Sequence, residues 1–65
     1  MTILEIKKQV AYMKTIIHDD EAAHQCEDNL WQSVLQAIAE GAENPVELAK
    51  AALETKDIGF SRWCG

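Results

Sequence analysis

Ile3, Ile6, Val10, Met13 and Ile17 recur at intervals of 3, 4, 3 and 4 residues, and this stripe restricts the fold more than any other feature of the chain. It is the narrow a/d seam of a coiled coil or helical hairpin, and a helix that carries it has to cover it with another helix. Two heptads and a fraction are too few to hold a free dimer. The stripe is therefore expected to pack on a second helix, its own or a neighbour's.

The second helix is predicted over about residues 20–40, with Gly41 as the residue that ends it. At about 100° per residue, Cys26, Ala37, Leu30, Ala23, Val34, Ile38, Trp31 and Leu35 cover roughly half of its circumference. Gln25, Asn29, Gln32, Ser33 and Gln36 fill the other half. So wide an arc implies contact with two surfaces, one inside the chain and one between chains. Between the first two helices, Asp19 or Asp20 is suited to N-cap the second, with Glu21 favourable in its first turn. No Gly or Pro enforces a break there, so a single long bent helix is the alternative.

A third helix opens at Asn44-Pro45-Val46-Glu47, which reads as an N-cap, a proline at N1 and a glutamate at N3 completing a capping box. It is predicted to run to about residue 55 with Val46, Ala49 and Leu53 on its inner face, extended by Leu48 and Ala52. The remaining tail holds Ile58, Phe60 and Trp63, and the two aromatic residues are expected to fold back as anchors. The fold class expected is a single all-α domain over residues 1–65. It comprises a helical hairpin, a short third helix and a folded-back tail.

A chain of 65 residues is small for a self-sufficient core. Such a domain buries only about 60% of the surface its unfolded chain exposes. Its apolar content of 48% rules out a disordered composition. Self-association into a homo-oligomer is the expected source of additional stability.

Net charge is −5, from 6 basic and 11 acidic side chains, which argues against nucleic-acid binding by bulk electrostatics. The charge is segregated. Between Lys14 and Lys50 stand eight acids (Asp19, Asp20, Glu21, Glu27, Asp28, Glu40, Glu43 and Glu47) and no Lys or Arg. The first 18 residues carry Lys7, Lys8 and Lys14 against Glu5 alone. An ordered acidic surface attracts basic partners or cations. There is no apolar run of membrane-spanning length, and Met1-Thr2-Ile3-Leu4 lacks the charged start of a secretory signal. With only Cys26 and Cys64, a reduced cytoplasmic protein is expected, a disulfide between the two being the lesser alternative.

His24, Glu27 and Asp28 stand at i, i+3 and i+4 beside Trp31. Glu27 projects between Val34 and Ile38, where a carboxylate needs a partner; His24, Arg62 and the lysines of the first helix are the candidates. The pattern reads either as a structural ion pair or as a ligand-binding or proton-sensing site. Phe60, Arg62 and Trp63 likewise read either as packing anchors with an ion-paired arginine or as a stacking and phosphate-binding set. No metal site is expected, because no pair among His18, Asp19, His24, Cys26, Glu27 and Cys64 has strong ligand spacing. Nothing resembles a nucleophile elbow or an oxyanion loop, so no catalytic residue and no cofactor is expected.

The run His18-Asp19-Asp20-Glu21-Ala22-Ala23-His24 and then Glu27-Asp28-Asn29-Leu30 resembles a pattern in small bacterial and phage or prophage proteins. Val34-Leu35-Gln36-Ala37-Ile38-Ala39-Glu40-Gly41, Ala52-Leu53-Glu54-Thr55 and the ending Ile58-Gly59-Phe60-Ser61-Arg62-Trp63-Cys64-Gly65 continue it, so the resemblance covers roughly residues 18–65. Where that family commonly ends in Asp-Phe-x-Arg-Trp-Cys-Ala, this chain has Gly59 and Gly65, and loses an acid near Arg62. The resemblance implies a phage-accessory setting and carries no catalytic role. Small acidic phage proteins act by binding host machinery; inhibitors of CRISPR complexes and sponges for defence signalling nucleotides are of this general kind.

The function expected is therefore non-enzymatic: binding of a host or phage protein with a basic surface, in the cytoplasm of a bacterium. Asp19, Asp20, Glu21, Glu27 and Asp28 would supply the field. The alternatives are a small-molecule or nucleotide binder using His24, Arg62 and Trp63, and a structural or assembly subunit.

Overall fold

Each of the first two helices begins on a side chain that accepts from the backbone. The structure, a computed structural model, describes residues 1–60. Helix α1 spans Ile3–Thr15, α2 Asp20–Ala39 and α3 Pro45–Leu53, and a 3-10 turn, Glu54–Asp57, continues α3. No strand occurs among the described residues. Thr2 caps α1 in a full capping box: its hydroxyl accepts from the Glu5 N–H at 3.2 Å, and the Glu5 carboxylate accepts from the Thr2 N–H at 3.0 Å. Asp19 caps α2, accepting from the Ala22 N–H at 3.1 Å. The chain therefore breaks between the first two helices, and the single bent helix does not form.

Helix α2 ends in a Schellman arrangement. Gly41, at φ 93°, donates to Ile38 while Ala42 donates to Ala37, which satisfies carbonyls that the helix end leaves without donors. Asn44 is the N-cap residue of α3 with Pro45 at N1, but its side chain makes no capping bond. At φ −128° and ψ 58° it lies outside the extended conformation that Thr2 and Asp19 share, so the expected capping box is absent.

All three helices pack against one another, with α1 meeting α3 at least as extensively as α2. The core consists of Ile6, Val10 and Met13 from α1, Ala23, Leu30 and Val34 from α2, Leu48, Ala51 and Ala52 from α3, and Ile58 and Phe60 beyond them. Burying so much apolar surface from every element is the main favourable term for a domain of this size.

Three further sequence expectations differ from the structure. The α1 stripe stops at Met13: the helix ends at Thr15, the chain turns, and Ile16 packs on the core while Ile17 is exposed. On α2 the buried arc is narrower than expected, and Leu35 is 67% exposed. On α3 the inner face is Leu48, Ala51 and Ala52, whereas Val46 and Leu53 are 58% and 49% exposed. Both α3 faces have helical spacing in the sequence. Which one turns inward is decided by where α1 and α2 lie.

Candidate functional site

Trp31 organises the edge of α2. Its indole N–H donates to the Ala52 carbonyl at 3.2 Å and to the Thr55 hydroxyl at 3.1 Å. Ala52 lies in the last turn of α3, where carbonyls run short of intrahelical donors, so the indole joins α2 to the far end of α3. Two bonds on one N–H fix the ring plane and bring the 3-10 turn alongside α2.

The result is a shallow hollow of about 400 Å³ lined by His24, Glu27, Asp28, Trp31 and Lys56. The expected α2 cluster is thus brought together on one surface. Lys56 joins it from the facing turn, 25 residues after Trp31 in the chain. The i, i+4 spacing pairs His24 Nε2 with Asp28 Oδ1 at 3.6 Å, so the imidazole faces Asp28 at the rim of the hollow. Glu27 is 3% exposed, and among the described residues every buried side-chain N or O atom has a hydrogen-bond partner. Carboxylate, imidazole and ammonium groups around an indole can hold a polar or cationic group at a surface. The hollow is too open to enclose one.

Phe60 is buried in the core rather than presented to the hollow. Arg62, Trp63 and Cys64, with the tail roles expected of them, lie outside the described residues. Cys26 is a half-buried free thiol. Asp19 and Glu21 are exposed and Asp20 is half-buried; all three sit at the start of α2, where acids complement the helix dipole. Among the described residues, no group of three or more His, Cys, Asp or Glu side chains is placed to hold a metal ion, and no helix is long and apolar enough to cross a membrane.

Lys56 is the contributor that local pattern reading cannot place. Its helical neighbours are legible, but its position beside Trp31 depends on how α3 returns along α2. No family model, curated protein or solved structure matches the chain.

Proposed function

We propose that the chain is a non-enzymatic, self-associating helical protein that binds a basic surface on a host or phage protein. One observation carries this reading: from residue 15 to residue 49 there is no Lys or Arg, and all the acids there except Glu27 lie at least partly at the surface. Asp19, Glu21, Asp28, Glu40, Glu43 and Glu47 are exposed. These carboxylates sit on α2 and around its junction with α3, so the negative field is held in a fixed shape. A field of that kind speeds and orients docking onto a positively charged patch.

The phage-accessory setting, in the cytoplasm of a host bacterium, is the one its sequence pattern suggests. Inhibition of host defence by covering a basic surface is the mode that fits such a setting. A nucleotide-sequestering role draws less support, because two carboxylates share the hollow with its one lysine. That balance disfavours an anionic ligand.

The test is a partner captured by cross-linking in host cells, followed by titration against wild-type protein and a Glu21→Lys, Glu43→Lys double variant. Both side chains are exposed and neither caps a helix through its side chain. Affinity should fall about tenfold or more in the variant, with a shallower dependence on salt. Binding that ignores both the substitutions and the ionic strength would sink the reading.

A further inference from the structure

The hollow beside Trp31 is too open to enclose a free small molecule, but a side chain presented by another protein arrives with its own cover. Its lining narrows what that side chain is. The indole N–H is engaged by the Ala52 carbonyl and the Thr55 hydroxyl, so what Trp31 offers a ligand is the ring itself. A fixed indole ring attracts a cation laid over its face. Asp28 stands three residues before Trp31 and so lies on the same side of α2. Its side chain is 64% exposed, and the His24 imidazole, at 3.6 Å, stands beyond hydrogen-bond length. Acceptor positions on the Asp28 carboxylate are therefore open to a donor. Lys56 faces them from the 3-10 turn and makes no ion pair with the described residues.

We propose that this hollow receives one arginine side chain of the basic partner, its guanidinium laid on the Trp31 ring and bonded to the Asp28 carboxylate. The inference rests on the proposed function and names the anchor of that contact. Arginine fits the lining better than lysine. A guanidinium is flat, weakly hydrated and able to stack on an indole, whereas an ammonium is compact and strongly hydrated. Its donors also form a fork that matches a carboxylate. Lys56 is exposed, so its ammonium can turn to an acceptor, and the backbone carbonyls flanking the arginine supply one. The other occupants fit less well. An anionic side chain would gain Lys56 but meet the Asp28 carboxylate, and an apolar one would cover that carboxylate without giving it a donor.

Titration of the full, 15N-labelled chain with acetyl-Gly-Arg-Gly-amide tests this, read at the indole N–H resonance that a Trp31→Phe variant lacks. That resonance should shift saturably, with half-saturation at roughly millimolar peptide. The citrulline peptide, which keeps the shape and loses the charge, should bind about tenfold more weakly, as should the arginine peptide to Asp28→Asn. The lysine peptide should also bind more weakly than the arginine peptide. A resonance that stays still, or that responds equally to citrulline, to lysine or in Asp28→Asn, overturns the anchor. Circular dichroism checks that Asp28→Asn, a change at an exposed position, keeps its helices; should it not, the peptide comparison on the wild-type chain decides alone. Glu21 and Glu43 do not line the hollow, so the partner titration with those two residues reversed fails independently. A silent peptide beside charge-sensitive partner binding removes the anchor and leaves the basic-surface reading in place.

Discussion

The indole N–H of Trp31 lies 3.1 Å from the hydroxyl oxygen of Thr55, a residue 24 positions later whose side chain is fully buried. A buried threonine needs a hydrogen-bond partner, and the N–H of a half-buried indole needs an acceptor. Placing the two together holds the end of α3 against the middle of α2, and Lys56 is carried to the hollow as the next residue along.

Trp31→Phe keeps an aromatic ring and removes the donor. The loss should be about 1–3 kcal/mol, because the Ala52 carbonyl and the Thr55 hydroxyl each lose an N–H they accept from. In a domain of this size that corresponds to a fall in Tm of at least about 4 °C, measurable by thermal melting at 222 nm. An unchanged Tm would mean that the indole bond contributes nothing to holding α3.

The two polar N-caps should separate cleanly. Asp19→Ala removes an observed capping bond and should destabilise by about 1 kcal/mol. Asn44→Ala should be close to neutral, because the Asn44 side chain caps nothing. Urea denaturation of the two variants reads the difference directly, and equal losses would show that Asn44 caps α3 after all.

The inner face of α3 can be established by truncation. Leu48→Ala should cost about 2–5 kcal/mol, since the side chain is fully buried. Val46→Ala, in dilute protein, should stay within about 0.5 kcal/mol, as an exposed position does. The reverse order would put Val46 rather than Leu48 at the core. Against a total stability of about 5–15 kcal/mol, a Leu48 truncation can also unfold the domain outright, which supports the same inner face more strongly.

Much of this architecture was legible locally. The break before α2, the proline opening α3, the glycine closing α2 and the buried trio Ile6, Val10 and Met13 all follow from short-range chemistry: a side-chain acceptor at Asp19, a missing N–H at Pro45, a positive φ at Gly41 and a 3-4 repeat. The α2 members of the candidate site were legible for the same reason, because i, i+3 and i+4 residues share a helix face. A further local signal lies at the N-terminus of α1, where Thr2 and Glu5 have the spacing of a capping box and the structure forms it.

What escaped the sequence has a common cause. Apolar residues ring much of α3, so periodicity offers Val46, Ala49 and Leu53 with Leu48 and Ala52 at their edge, and nothing local shows that the buried face centres on Leu48, Ala51 and Ala52. On α2, Leu35 belongs to the apolar arc by angle, yet among the described residues it stays 67% exposed.

By itself, then, the sequence determined three helices, the starts of α2 and α3, the close of α2 at Gly41 and a surface charge of one sign along α2, because hydrogen-bond geometry and side-chain period act over four residues or fewer. The choice of inner face on α3, the exposure of Leu35 and the meeting of Trp31 with Thr55 and Lys56 were decided only by the tertiary structure. Each depends on where one helix lies against another, and that arrangement is set by packing the whole core at once rather than by any segment of the chain.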